Sequence, residues 1–203
     1  MNADIRNKAF TQDQINKIGN TIIYFSNKIP DLNRTKILSL LFIIEEACIK
    51  KFGHHFFGID FQLWKSGPII KDIFIDLSYE TPILLNEFIK QESEHSSNFI
   101  ANKTFNNDEF SDNDIELMDL IINFASEKSA SNLVDHTQSP HSLWRKSAIQ
   151  YGVLESLETD LLNSTEYTID FSLLFDNSSM PSYLKERFEE SKENLEFVKH
   201  LKR

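Results

Sequence analysis

The chain has little of what punctuates or staples a protein: one cysteine, five glycines and five prolines in 203 residues. The lone Cys48 cannot form an internal disulfide, which excludes a stapled secreted scaffold and fits a reducing compartment. Scarce glycine and proline favour helices, because neither residue supports a helix interior. Positive charge is short as well, with 21 Lys and Arg against 31 Asp and Glu for a net charge of −10. Nucleic-acid binders carry a basic stripe, so direct nucleic-acid binding is not expected. No stretch approaches the roughly 18 apolar residues of a membrane span. Met1 to Phe10 mixes Asp4, Arg6 and Lys8 without the apolar core of a signal peptide. A soluble, cytoplasmic protein without membrane contact is expected. Phenylalanine is plentiful, at 17 residues, and 40% of the chain is hydrophobic, enough for a packed and loop-poor core.

Helix signals dominate the pattern. Thr11 and Gln14 match a capping box, with Phe10 and Ile15 at the staple positions, and Ile15, Ile18, Ile22 and Phe25 follow at helical spacing. Pro30 to Asn33 breaks the chain before a second helix. Nearly every residue from Ile37 to Ile44 is apolar, which predicts burial on most faces, and Gly53 suits its C-cap. Ile59, Phe61 and Leu63 alternate with polar or amphipathic neighbours over Gly58 to Lys65, a short strand pattern. Ser66-Gly67-Pro68 is expected to turn that strand directly into a helix bearing Ile69, Ile70, Ile73, Phe74 and Leu77. Thr81-Pro82 is expected to open a further helix with Leu84, Leu85, Phe88 and Ile89.

A second strand around Asn98 to Thr104 is expected to pair with the first as a ribbon. Ser111 and Asp114 form another capping box before Ile115, Met118, Ile122 and Ala125. Ser129 starts a short helix through Leu133 and Val134, and Ser139-Pro140 the next, with Trp144 and Ile149. Alternation from Tyr167 to Leu173 suits a strand. Pro181 opens a final amphipathic helix with Leu184, Phe188, Leu195 and Val198 on one side. The fold class is therefore mainly α, a single compact helical domain with a small antiparallel β-ribbon.

Three motifs in order resemble one known family. Thr35-Lys36-Ile37-Leu38-Ser39-Leu40-Leu41-Phe42 followed by Glu45 resembles the opening helix of the Panacea domain, also called the SocA-type antitoxin domain. Phe61 to Ile69, with Trp64, Lys65, Gly67 and Pro68, is similar to its Ala-(Trp/Met)-Lys-Tyr-Gly-Pro-Val signature, although Ser66 stands where an aromatic is usual. Phe110 to Ile115, Ser129 to Leu133, His136 and Trp144 are similar to its Leu-Ser-x-x-Asp helix, Ser-Ala-x-x-Leu turn and closing His…Trp, with the last spacing stretched. The resemblance covers about Leu32 to Tyr151. It divides the chain into an N-terminal helix region (1–31) packing on the core, a Panacea-like domain (32–151) and a C-terminal extension (152–203). It implies a bacterial or phage-associated antitoxin that binds a cognate protein toxin. A protease or chaperone is a further implied partner, since one branch delivers its toxin to a protease. It implies no reaction and no cofactor.

Read on their own, the residues agree with a binding protein rather than an enzyme. Trp64 to Pro68 has a sufficient structural explanation in turn geometry, yet an aromatic and a cation beside a turn also make a contact anchor. Trp64, Lys65, Gly67 and Pro68 are the first partner-binding candidates, and Leu184 and Phe188 of the last helix are the second. Asp135, His136, Ser139 and His141 lack both a nucleophile elbow and the i, i+4 spacing of a helical metal pair, so cap and turn roles are favoured. His54, His55 and His95 lack partners at ligand spacing, and the adjacent pair reads as a loop-surface feature. Glu45 and Glu46 point about 100° apart on a helix and do not converge. One is expected to meet Lys36 or Arg34 and the other water. Cys48 is read as a core residue. No catalytic residue, metal or cofactor is expected.

Overall fold

The structure, a computed structural model, describes residues 10–176 and 180–201. Residues 1–9, placed with the N-terminal helix region from sequence, and the side chain of Val198 lie outside what is described. Helix α1 (Gln12–Ser26) begins at the Thr11 capping box, in which the Gln14 amide donates to Thr11 Oγ1 at 3.2 Å and the Thr11 amide to Gln14 Oε1 at 3.0 Å. Helix α2 (Arg34–Phe52) is capped by Asn33 and ends at Gly53, whose φ of 71° only glycine adopts without strain. Its apolar residues Ile37, Leu40, Leu41, Phe42 and Ile44 are all buried, as the continuous apolar run predicts.

The segment after α2 departs from the sequence reading. Strand β1 (Gln62–Trp64) turns through Lys65-Ser66 into strand β2 (Gly67–Ile69), and only then does helix α3 (Lys71–Asp76) begin. Gly67 and Pro68 are therefore strand residues, not a first helical turn. Trp64 closes the two-residue hairpin opposite Gly67, so Pro68, one pair further on, has its nitrogen directed away from β1. β2 is an edge strand, where a missing N–H costs no ladder bond.

No helix forms at Thr81-Pro82 either. The buried Asp76 carboxylate accepts the backbone N–H groups of Ile83, Leu84 and Leu85 at 2.7, 2.7 and 3.0 Å, which holds this stretch as a loop. The chain then enters strand β3 (Ile89–Gln91), which pairs with β4 (Phe99–Ala101) as a separate two-stranded ribbon against α1. The expected pairing of β4 with the first strand is thus corrected. The third strand on that sheet is β5 (Ser164–Thr168), giving the order β2-β1-β5. β5 begins three residues before the alternating run, whose end from Phe171 to Leu174 is a 3-10 turn instead.

Helices α4 (Asp112–Ala125) and α5 (Ala130–Thr137) start at Ser111 and Ser129 as expected. Helix α6 (Leu143–Gln150) starts at Ser142 rather than Ser139, because Ser142 Oγ caps the Arg145 amide at 3.2 Å. Helices α7 (Leu154–Glu158) and α8 (Ser182–Leu201) complete the chain, and α8 packs on α2. The fold is mainly α with small antiparallel sheets. One cluster of buried side chains runs from Ile15 to Phe188, and Phe42, Phe61 and Phe171 meet inside it at centroid distances of 5.4–6.0 Å. The abundance of phenylalanine is spent there.

Candidate partner-binding surface

The hairpin β1-β2 is clamped from both sides. Trp64 is half-buried, with its ring edge-on to Phe74 at 4.9 Å and its Nε1 donating to Gln62 Oε1 at 3.0 Å. Its carbonyl accepts a hydrogen bond from Trp144 Nε1 at 3.0 Å, and the Lys65 carbonyl accepts one from Gln138 Nε2 at 2.6 Å. On the other side the Lys65 amide donates to the Asn163 carbonyl at 3.0 Å, and Thr165 Oγ1 to the Leu63 carbonyl at 2.8 Å. Gly67 has φ +107°, and a Cβ there would sit 3.2 Å from Thr137 Oγ1. Trp64 and Trp144, 80 positions apart, are thus joined through a backbone carbonyl.

What this rigid hairpin presents is its tip. Lys65 and Ser66 are exposed, while Gly67 and Pro68 are buried. The Lys65 ammonium pairs with the Asp160 carboxylate, and Lys71 pairs with Glu166 of β5 at 2.9 Å. The hydrogen bond from Lys71, reinforced by its charge, holds the Glu166 carboxyl below the usual carboxylate range. Leu184 and Phe188 face inward instead, at 5% and 2% exposure, with Phe188 against the rings of His55 and Phe175.

The remaining motif positions hold the fold. Lys36 is buried and donates to the Pro30 carbonyl at 3.0 Å. Glu45 is fully buried, but its partners are neither Lys36 nor Arg34. His55 Nδ1 lies 2.6 Å from one oxygen and the Phe57 amide donates to the other at 2.7 Å. In its Nδ1–H tautomer His55 donates to the first of these oxygens. Arg34 instead donates to Ser78 Oγ at 2.6 Å and lies over the Phe74 ring. Glu46 pairs with Lys50. The two adjacent histidines are likewise not a free loop surface: His55 serves Glu45, and His54 Nδ1 lies 3.1 Å from the His55 carbonyl and 3.6 Å from Cys48 Sγ. Cys48 is buried, and burial, with the Glu45 and Asp114 carboxylates, pushes its thiol well above the ordinary range.

His136 is exposed with its ring on Phe124 at 4.9 Å, whereas Trp144 is buried. The Ser139 amide donates to the His136 carbonyl at 3.3 Å, a backbone turn contact, and no side-chain hydrogen bond joins Asp135, His136, Ser139 and His141 as a nucleophile and base. Among the described residues no three His, Cys, Asp or Glu side chains converge as metal ligands. No described helix is long and apolar enough to cross a membrane. Sequence reasoning missed Asp76, Gln138 and Thr165, whose partners lie up to 102 positions away.

A family model described as antitoxin SocA-like, Panacea domain, matches residues 37–145. The matched span contains all but the first three residues of α2, the clamped hairpin, and the Gln138 and Trp144 side chains that hold it. Neither the curated proteins nor the solved structures give a match.

Proposed function

The chain belongs to the SocA-like antitoxin family defined by the Panacea domain, and on that premise we propose that it neutralises a cognate protein toxin by binding it directly. The observation that supports this most is the hairpin tip: an exposed Lys65 beside the half-buried Trp64, on a turn fixed from two sides. Such pre-ordering lowers the entropy lost when a partner docks. The contact residues in this reading are Trp64 and Lys65, with Gly67 and Pro68 shaping the turn beneath them. Leu184 and Phe188 fasten α8 to the domain, and would meet a partner only if α8 moved. The binding unit is a single domain over residues 32–151, braced by α1 and extended by the segment that follows it. It works in the cytoplasm, without a cofactor and without a reaction of its own.

A second reading, delivery of the partner to a protease, draws on α8. That helix is anchored on one side by Leu184 and Phe188 and exposes Tyr183 and Phe197 elsewhere. Co-expression with the protein encoded beside this chain separates the readings. Direct neutralisation predicts growth rescue in a host lacking its cytoplasmic proteases, whereas delivery predicts rescue only when they are present. Lys65→Glu is expected to abolish rescue while leaving the melting temperature almost unchanged, because the Lys65–Asp160 pair is exposed and worth at most about 1 kcal/mol. A stable Lys65→Glu chain that still rescues growth moves the contact away from the hairpin.

A further inference from the structure

The hairpin is one end of a longer row of side chains, joined contact by contact. At the start of α2 the Arg34 guanidinium lies over the Phe74 ring of α3 at 4.4 Å. Phe74 meets Trp64 at 4.9 Å, Trp64 Nε1 donates to Gln62 Oε1 at 3.0 Å, and Gln62 Nε2 donates to Glu166 Oε2 at 3.2 Å. Arg34, Phe74, Trp64 and Gln62 are all half-buried, so each keeps part of its side chain in solvent. Arginine and the aromatics are the residue types enriched where proteins meet.

The charges beside this row are matched except at one end. Lys71 pairs with Glu166, and Lys65 with Asp160. Among the described residues no carboxylate pairs with Arg34. One N–H of its planar fork donates to Ser78 Oγ at 2.6 Å, and that hydroxyl donates to the Phe74 carbonyl at 2.6 Å. The guanidinium is thereby held over the ring with the rest of its fork open to an acceptor.

Helix stability does not account for this cation. Arg34 is the first residue of α2, at the positive end of the helix dipole, and the first turn holds no acidic residue. A cation there opposes the helix. Lys36, the other cation of that turn, is buried on the Pro30 carbonyl, whereas Arg34 stays half-exposed. The family match begins at residue 37 and assigns Arg34 nothing.

An open guanidinium fork takes an oxyanion. A nucleic-acid phosphate fits poorly here, because the chain carries a net charge of −10 and Glu166 stands in the same row. The Phe74 face on which a base would stack is also covered by Arg34 itself. A carboxylate side chain of a protein fits. The half-buried rings beside the guanidinium give the residues flanking that carboxylate an apolar seat.

We infer that Arg34, Phe74 and Trp64 form a seat for an acidic side chain of the partner, with the Arg34 fork on its carboxylate and the rings against the apolar group beside it. Resting on the antitoxin reading, this partner is the toxin, and the seat continues the contact made by the neighbouring cation Lys65. The test co-expresses the full chain with the protein encoded beside it and reads co-purification and growth rescue. Arg34→Glu places a charge that suits the start of α2, so it is expected to melt like the parent. It is nevertheless expected to weaken capture by about thirtyfold, the loss of one hot-spot contact. Arg34→Gln keeps a donor for Ser78 and is expected to weaken capture by about tenfold, the loss of one charge-assisted hydrogen bond. Capture by the parent is expected to fall as salt rises. Full capture by either variant in folded form overturns the seat, and rescue by the parent then leaves the antitoxin reading standing. A parent that neither captures nor rescues overturns both. Single-stranded RNA bound by the chain alone, and released by Arg34→Glu, overturns the acidic protein in favour of a phosphate backbone. A dimer of the chain alone, dispersed by Arg34→Glu in sedimentation, overturns it in favour of a second copy.

Discussion

Glu45 occupies the acidic position of the first family motif, and its surroundings predict what its replacement does. The side chain is fully buried and accepts two hydrogen bonds, from His55 Nδ1 at 2.6 Å and from the Phe57 amide at 2.7 Å. Glu45→Ala leaves the buried Phe57 amide without its acceptor and strands the His55 ring, which itself packs on Phe171 and Phe188. The Phe57 amide and the His55 ring each lose a buried partner, at about 1–3 kcal/mol apiece, so a total near 4 kcal/mol is expected. For a chain of this length that lowers the melting temperature by about 8–16 °C. Glu45→Gln behaves differently. Its Oε1 still accepts the Phe57 amide, and its Nε2 donates to His55 Nδ1 once the ring takes its other tautomer. Only the charge-assisted part is lost, about 1–2 kcal/mol. Urea unfolding of both variants measures the two costs, and co-expression measures function. A structural carboxylate predicts that Glu45→Gln still rescues growth and Glu45→Ala fails through instability. An alanine variant within 1 kcal/mol of the parent, or a stable Gln variant that cannot rescue, refutes this account.

Three further outcomes are expected. Gly19→Ala should destabilise by about 1–3 kcal/mol in urea, although alanine is the better helix former by about 1 kcal/mol, because its Cβ would stand 2.3–2.6 Å from the Phe88 ring. Lys103 lies over that ring at 3.8 Å and limits its retreat, so Phe88→Leu should recover part of the loss; a Gly19→Ala chain as stable as the parent contradicts this packing. Cys48 should resist a thiol reagent at pH 8 in the folded chain and react on unfolding in guanidinium, since burial raises its thiol pKa; rapid labelling of folded protein would show the site open. Asp119 is held below the ordinary carboxylate range by hydrogen bonds from Lys28 and Tyr24, so it stabilises the fold above its unfolded pKa and that contribution is lost as pH falls through the depressed folded value. The pair is roughly half exposed, so Asp119→Asn should cost under about 1 kcal/mol at pH 7. The gap should close below about pH 4, and one that widens in acid reverses the sign.

The local sequence was sufficient wherever the interaction that sets an element spans three or four residues. Thr11 with Gln14, Ser111 with Asp114, the helix start at Ser129 and the glycine cap at Gly53 all behave as the sequence predicts. The central burial of α2 was equally legible, because a continuous apolar run has only the core to enter. The motif order also carried the family, which needs residue types in sequence and no coordinates. Tertiary structure decided the rest. Gly67-Pro68 is compatible with a helix start or an edge strand, and pairing with β1 selected the strand. Thr81-Pro82 has a helix-opening pattern, yet the carboxylate of Asp76 captured the following amides and kept them as a loop. Glu45 met a histidine ten positions on rather than the cations about three turns before it in the same helix. The Lys65–Asp160 pair and the Lys65–Asn163 backbone bond join positions nearly a hundred residues apart. Local spacing encodes caps and faces, whereas the partner of a strand edge, a buried carboxylate or an exposed cation is chosen by whichever distant group the packed core brings within reach.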